Sequence, residues 1–457
     1  MADQSNLLYI CTDQLTHDAL SCAGNQDLAT PNIDRLSSQG VRFTNAYCTF
    51  PLCTPSRMSM ITGRMPAELG INSLQGDIRE ALRDKEMGPW FSKAGYTCAY
   101  GGKWHAGGGL DYPEGSDHGF EKICTINDLE LPGACDAFLK RNHDRPFLLV
   151  ASFDDPHNIC EHRKNQVLPW GSIDDVPVDE YPNLPTNFSR APQEPQAIRN
   201  FRSGSGGPSA LQMAEAYTNE RWRKHRYYYF RIVERVDALI GRVLHSLEES
   251  GHADDTLVVF SSDHGEMNAS HELTGKFVLY DESVRVPLIV RTPGGDRAGE
   301  IDEHLASAGL DLMPTLCDYA GIDRPDHMPG YSLRPLLIGD LNTDWRSYVA
   351  AEAAFDRTPT RMVRSERYKY VMHQWGEYRE QLFDLQADPG ERINLSVEKK
   401  HAETLNQHRM YMAEWLSSIG DRAARSYAHP GCVVVPGVER VPMASSQAAV
   451  RSPHSSF

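Results

Sequence analysis

Residues 256–266 read Thr-Leu-Val-Val-Phe-Ser-Ser-Asp-His-Gly-Glu, an apolar run that ends in a group of polar and charged side chains. The run has the length and β-branched content of a buried strand. The same arrangement, an apolar run followed at once by polar side chains, occurs at three other places in the chain. These are residues 7–11 before 12–14, 97–100 before 101–105, and 147–153 before 154–157.

Helical patterns lie between these runs, as crossovers between parallel strands require. Thr30-Pro31 predicts a helix start and Gly40 its end, and a longer helix is predicted over residues 211–250. Ligands of open parallel sheets bind beyond the carboxyl ends of the strands. The sequence therefore predicts an α/β fold, a large and mostly parallel sheet flanked by helices, with the four polar groups at one edge.

The domain organisation is inferred from changes of pattern along the chain. Residues 158–208 are rich in proline, asparagine and serine, which fits either a substrate-binding loop or a solvated insertion. Strand-like runs at 348–351 and 368–372 precede a helix at 402–418, which suggests a smaller α+β subdomain. We therefore predict a catalytic domain at 1–343, a C-terminal subdomain at 344–429, and a tail or arm at 430–457.

Composition excludes several classes of protein. The 457 residues are 40% apolar and 24% charged, which is ordinary globular composition. The net charge of −16 argues against a nucleic-acid or anionic-membrane binder. There is neither a signal-peptide pattern nor an apolar stretch of about 18 residues, and the ten cysteines form no CxxC pair. We expect a cytoplasmic protein with reduced cysteines.

Cys53 stands at a predicted helix start. Thr54-Pro55 follows it and Gly63 closes the helix. The backbone N–H groups and the dipole at a helix N-terminus lower a thiol pKa and favour bound anions. By itself a cysteine at a helix start is more often structural than catalytic.

The segment CTPSR at residues 53–57, with TGR at 62–64, resembles the activation signature of the type I sulfatases of the alkaline-phosphatase-like superfamily. In that family a maturation enzyme oxidises the cysteine to formylglycine, whose hydrated aldehyde is the nucleophile. Further stretches of the chain are similar to the family in the same order. They are NLLYICTDQ, TPNIDRLSSQGVRFTNAYC, GGKWHAGG, FDDPH, FSSDHGE, TGKFVLYDESVRVPLIVRTPG, LDLMPTLCDYAGI and QLFDLQADPGERINL.

The resemblance implies a metal site made of Asp13, Gln14, Asp263, His264 and the modified Cys53. Oxygen-rich ligands with carboxylates suit a hard cation such as Ca²⁺. Gln14 and His264 depart from the commonest pattern of the family and resemble the branch that holds choline sulfatases and phosphonate monoester hydrolases. The neutral amide of Gln14 stands where the common pattern has a carboxylate, so Mn²⁺ or Mg²⁺ are alternatives to Ca²⁺. For the same reason Gln14 is in question as a metal ligand.

The resemblance also implies roles around the sulfate. Lys103 would contact the formylglycine and the sulfate, and His105 would act on the second hydroxyl of the hydrated aldehyde. His157 and Lys276 would bind sulfate oxygens and help to protonate the leaving group, and Arg57 would steady the nucleophile. His271 is a further candidate contact to the substrate. Glu266 and Trp104 are interpreted as structural support and as a packed wall.

The function expected from these features is hydrolysis of a sulfate monoester. The polar loop at 158–208 favours a sulfated carbohydrate as the substrate. Because Trp170, Tyr181 and Phe188 in this loop could surround a quaternary ammonium group, choline sulfate stays an alternative substrate. An aryl sulfate is a further alternative. A phosphonate monoester or phosphodiester on the same scaffold is the alternative. A binding protein that keeps the thiol is disfavoured, because every candidate catalytic residue is present. The expected partners are the maturation enzyme and a second copy of the chain, without nucleic acid or membrane.

Overall fold

The computed structural model describes residues 4–78, 80–202, 216–340, 344–355 and 358–421. Eight strands of this part of the chain form one sheet in the order β4-β3-β5-β1-β6-β7-β2-β8. Their bounds are β1 Asn6–Asp13, β2 Val41–Tyr47, β3 Thr97–Gly102, β4 Glu121–Cys124, β5 Phe147–Pro156, β6 Thr256–Ser262, β7 Leu288–Arg291 and β8 Ile301–Ser307.

The four predicted strands lie side by side at the centre of this sheet. Leu7 of β1 is in register with Leu148 of β5 and Leu257 of β6, and both pairings are parallel. β7 runs antiparallel to both of its neighbours, so the sheet is mostly rather than wholly parallel, as predicted. β1 and β5 extend to Asp13 and Pro156, so some of the polar residues expected after these strands belong to them. The carboxyl ends of the central strands therefore share one edge.

Helices cover both faces of the sheet and bury two large apolar clusters against it. Among the described residues they are α1 Pro31–Gln39, α2 Cys53–Thr62, α3 Pro66–Leu69, α4 Met87–Lys93, α5 Leu131–Leu139, α6 Ile159–Arg163, α7 Gln196–Arg202, α8 Asn219–Glu249, α9 Asp281–Val284, α10 Ala308–Ala320, α11 Arg334–Leu337 and α12 Ala402–Ser418. The predicted helix at 211–250 is observed as α8, and residues 211–215 lie outside the described part.

A second, four-stranded antiparallel sheet has the order β12-β11-β10-β9. Its strands are β9 Val349–Phe355, β10 Thr358–Arg364, β11 Tyr368–His373 and β12 Glu380–Asp384. Trp415 and Leu416 of α12 pack in one apolar cluster with Val363 and Tyr370 of this sheet. The expected α+β unit is thus present, while residues 422–457, which include the predicted tail, lie outside the described part.

The segment after β5 is less irregular than the sequence suggests. It contains the two short helices α6 and α7, and its middle lies on α8. Arg223 of α8 donates a hydrogen bond to the carbonyl of Pro182 at 3.0 Å. The ring centroids of Tyr181 and Tyr227 are 5.6 Å apart. These contacts hold the segment beside the edge of the sheet where the polar groups gather.

Two further sequence expectations concern cysteines and membrane spans. The nine cysteines within the described residues are all free thiols, and Cys432 lies outside that part. None of the described helices combines the length and the apolar character that a membrane crossing demands.

Candidate functional site

Cys53 is the first residue of α2 and is 1% exposed. The helix starts at the predicted place, and Gly63 ends it with a φ of 63°, a left-handed conformation that favours glycine. The Gly63 N–H donates to the carbonyl of Ser59, which closes the last turn. The thiol is thus fixed at a helix N-terminus, beside the carboxyl ends of the central strands.

Two positively charged or ionisable groups lie directly against the Cys53 sulfur. Lys276 Nζ donates to Cys53 Sγ at 2.9 Å, and His264 Nε2 lies 3.4 Å from the same atom. Burial and the Asp13 carboxylate oppose ionisation of the thiol, yet Lys276, Lys103 and His264 together hold the pKa of Cys53 well below its usual value. The pocket therefore stabilises negative charge at residue 53.

Arg57, one turn along α2, holds two buried carboxylates in place. Its Nε donates to Asp263 at 2.7 Å and its Nη2 to Asp13 at 3.2 Å. Its Nη1 donates to the Lys103 carbonyl and to Ser152 Oγ, at 2.9 and 2.8 Å. The guanidinium thus connects groups at the carboxyl ends of four strands, β1, β3, β5 and β6.

Lys103 lies between two carboxylates. Its Nζ is 2.8 Å from Asp13 Oδ2 and 2.8 Å from Asp154 Oδ1, and the side chain is 1% exposed. Burial opposes the charged form, but these carboxylates raise the pKa of Lys103 well above its usual value. Asp154 was not among the residues singled out from the sequence, although it stands inside the quoted FDDPH stretch.

The side chains of Asp13, Cys53, Asp263 and His264 form a group that could hold a metal ion. One ligand atom from each lies within 4.8 Å of the others, and all four residues are buried. His264 Nδ1 is 3.0 Å from the Gly265 carbonyl, so a proton there would leave Nε2 free to face the group. Two carboxylates, an imidazole and residue 53 suit a divalent cation.

Gln14 adjoins this group but its amide is directed away from it. Gln14 Nε2 donates to the buried carboxylate of Glu266, and the backbone N–H of Gln14 donates to Asp263 Oδ1 at 3.2 Å. Glu266 also accepts hydrogen bonds from the backbone N–H groups of Gly275 and Asn268. Glu266 is therefore placed behind the metal group as a support, and the role of Gln14 as a ligand stays a prediction.

Two predicted catalytic histidines, His105 and His157, follow the carboxyl ends of β3 and β5. His157 lies close enough to Asp13 to be among the charges that lower the pKa of that carboxyl against the effect of burial. His105 follows Lys103 by two residues and has a φ of 46°, which is uncommon for a residue with a side chain. Its ring Nδ1 is buried and has no hydrogen-bond partner among the described residues. Such strain and missing partners are typical of groups that contact a ligand.

His271 occupies a different environment from the other candidates. Its ring stacks on Tyr280 with 4.0 Å between centroids and an angle of 12°. It is fully buried, and this burial lowers the pKa of His271 to about 3. The contact with Tyr280 is one of packing, and the role of His271 as a substrate contact stays a prediction. Trp104 is also buried. Its ring centroid lies 5.1 Å from that of Tyr100 and 5.0 Å from that of Tyr112, as expected of a packed wall.

Comparison with known proteins agrees with this geometry. Residues 5–322 match the family model described as Sulfatase, and residues 269–417 match the model for the C-terminal part of N-sulphoglucosamine sulphohydrolase. A Delta 4,5-hexuronate-2-O-sulfatase of Bacteroides thetaiotaomicron is 32% identical, covering 94% of this chain and 93% of that protein.

Two solved structures show the range of similar folds. A 2-O GAG sulfatase is 29% identical with a TM-score of 0.81, covering 94% of this chain and 98% of its own. A phosphonate monoester hydrolase of Agrobacterium radiobacter is 23% identical with a TM-score of 0.74, covering 92% and 96%, and at that identity the likeness shows the fold alone.

The fold and the buried group of carboxylates, imidazole and cysteine thus define a hydrolase of the alkaline-phosphatase-like superfamily. Within it, the chain belongs to the sulfatase family. It is a sulfatase, an enzyme that hydrolyses sulfuric esters.

Proposed function

We propose that this sulfatase removes a sulfate group from a sulfated sugar. The observation that carries the proposal is the convergence of Lys276, Lys103 and His264 on Cys53, beside two carboxylates held by Arg57. A sulfate monoester is anionic, and its hydrolysis develops further charge on oxygen, so a buried cationic pocket favours the transition state.

Two groups complete the proposed site. Asp13, Asp263, His264 and residue 53 would hold the divalent cation, and we propose Ca²⁺ because oxygen ligands dominate, with Mn²⁺ or Mg²⁺ as alternatives. A maturation enzyme would convert Cys53 to formylglycine. When bound and formed, these groups supply a Lewis acid and an oxygen nucleophile at the sulfur atom of the ester.

The roles of the protein side chains follow from their positions. Lys103 and Lys276 would contact sulfate oxygens, since both Nζ atoms already lie within the cluster of carboxylate and thiol groups. Arg57 would keep Asp13 and Asp263 in position. His157 and His105 would exchange protons with the leaving group and with residue 53, since His157 acts on the Asp13 carboxylate and His105 Nδ1 has no partner among the described residues.

The choice of a sugar rests on the relatives and on the polar segment after β5. The relative with 32% identity over most of the chain carries the name of a hexuronate sulfatase. We propose residues 158–208 as the segment that contacts the sugar, within a catalytic domain at 1–343 that is followed by a C-terminal domain at 344–429. The phosphonate monoester hydrolase is similar to this chain in fold, and this similarity does not support a phosphonate as the substrate.

The experiment that tests the proposal compares initial rates of the matured protein on sulfated mono- and disaccharides, 4-nitrophenyl sulfate, choline sulfate and a phenyl phosphonate monoester. Calcium and manganese are supplied separately. A preference for sulfated sugars supports the proposal, whereas a preference for choline sulfate or the phosphonate would replace the substrate but keep the scaffold. The expected cytoplasmic location and a homo-oligomer stay predictions, which cell fractionation and light scattering test.

A further inference from the structure

Arg163, the last residue of α6, is a buried arginine with hydrogen-bond donors that no described residue uses. The residue is 7% exposed, its Nη2 donates to Cys160 Sγ at 2.9 Å, and its Nε has no hydrogen-bond partner within the described part of the chain. Among the described residues no carboxylate lies within ion-pair distance of this guanidinium. A buried N–H donor without an acceptor is costly, so an acceptor for this donor would be favoured.

Two other buried arginines show what an ordinary partner would be. Arg57 donates to Asp13 and Asp263, and Arg202 pairs with Glu194. Glu266 is an anion close enough to raise the pKa of Arg163, but its oxygens accept hydrogen bonds from Gln14, Gly275 and Asn268. Arg163 therefore keeps donor capacity that the described residues do not use.

This guanidinium lies next to the proposed catalytic groups. A Cβ atom built on Gly275 would lie 2.8 Å from Arg163 Nη1, so the absence of a side chain at Gly275 leaves room for the guanidinium. Gly275 immediately precedes Lys276. On the other side, Cys160 Sγ lies 3.7 Å from the amide nitrogen of Gln14. Arg163 thus contacts residues that adjoin Lys276 and Gln14.

Further unused donors occur in the same region. Thr274 precedes Gly275, and its buried hydroxyl has no described partner. The buried hydroxyl of Tyr217 also lacks one, and Tyr217 is near enough to influence the pKa of Arg163. A guanidinium and two hydroxyls without acceptors match the needs of an oxyanion, which accepts several hydrogen bonds and carries the opposite charge.

We propose that Arg163 is the centre of a second anion subsite, which binds the carboxylate of a sulfated uronate while its sulfate ester lies at residue 53. The inference rests on the proposed function, since it assigns the class of sugar. Arg163 is then a residue that determines specificity, outside the groups that perform the hydrolysis.

The test compares a 2-O-sulfated hexuronate with its methyl ester, which removes the carboxylate charge and little else. For the wild-type protein we expect kcat/KM to be about tenfold or more higher on the acid than on the ester, a typical effect of a charged hydrogen bond. Arg163→Gln should remove this preference with little change in kcat/KM on the ester. Arg163→Lys should keep part of it, and Arg141→Gln, at an exposed arginine that precedes β5, should keep all of it.

Equal rates on acid and ester for the wild-type protein would overturn the subsite, as would a proportional loss on both substrates in a folded Arg163→Gln. If a preference for glucosamine disulfate over its monosulfate depends on Arg163 while the carboxylate has no effect, the ligand is a second sulfate and the carboxylate assignment is wrong. If no sulfated sugar is cleaved, the proposed function fails on its own. The subsite is then decided by whether glucuronate inhibits 4-nitrophenyl sulfate hydrolysis more than its methyl ester does, in wild type but not in Arg163→Lys or Arg163→Gln.

Discussion

The Nζ atom of Lys276 lies 2.9 Å from Cys53 Sγ and 3.1 Å from His264 Nε2. A cation at this place neutralises charge on residue 53 and on any anion bound beside it. The side chain reaches the site from the loop after β6, whereas Cys53 reaches it from the start of α2. The relative position of these two elements is therefore a condition for activity.

The first prediction concerns Lys276. We expect Lys276→Met to lower kcat/KM on a sulfate ester by about 100-fold or more, because a preorganised charge at the transition state is lost. Steady-state kinetics of the matured variant measure this, with the exposed Lys93→Met as the matched control. An unchanged kcat/KM would exclude Lys276 from the reaction.

The second prediction concerns the metal. Asp263→Asn should reduce affinity for the divalent cation by about tenfold or more, since a charged oxygen in the group of four is replaced by a neutral one. Metal content after dialysis measures the change, and Asp254→Asn, at an exposed position, serves as control. If Asp263→Asn retains the metal content of the wild type, Asp263 is not a ligand.

The third prediction concerns the support behind the metal group. Although burial opposes the charged form, hydrogen bonds and charges from His225, Arg163 and Gly275 lower the pKa of Glu266 to about 2. Glu266→Gln places an amide against the donors of Gln14 and Gly275, which should cost about 1–3 kcal/mol of unfolding free energy. Urea denaturation checks this against Glu249→Gln, and equal stability of the two variants would contradict it.

The fourth prediction concerns pH. Burial lowers the pKa of His373 to about 4, below the value of about 6.5 in an unfolded chain. Below pH 6.5 the unfolded chain binds the proton and the folded protein does not, so this residue disfavours folding increasingly as the pH falls towards 4. The unfolding free energy of wild type minus that of His373→Gln should therefore fall by about 1.4 kcal/mol per pH unit over that range. A difference that is independent of pH would show that His373 is protonated equally in both states.

The central strands and their polar ends could be predicted from the sequence because each run is apolar and is followed at once by polar residues of the types that perform catalysis. The start of α2 at Cys53 was predictable because proline and glycine mark its ends. The antiparallel direction of β7 was not, since a short apolar run such as Leu288–Arg291 has no local signal of direction.

The site was predicted in its composition more fully than in its contacts. The pairing of Lys103 with Asp154 depends on the register of β3 with β5, which residue patterns do not specify. For the same reason the sequence could not show that Gln14 donates to Glu266, or that Arg163 lies against Gly275. His271 and Lys276 are close in sequence, but the stacking of His271 on Tyr280 is a tertiary contact.

The most direct test of the account combines the mass of the peptide that carries residue 53 with the activity of the same preparation. The protein is produced together with a maturation enzyme and assayed on a sulfated sugar, beside a folded Cys53→Ala variant. The account predicts an aldehyde at residue 53, turnover in proportion to the converted fraction, and none in Cys53→Ala. Turnover by protein that retains the thiol would show that the aldehyde is not required, and turnover by Cys53→Ala would place the nucleophile elsewhere; either result contradicts the account.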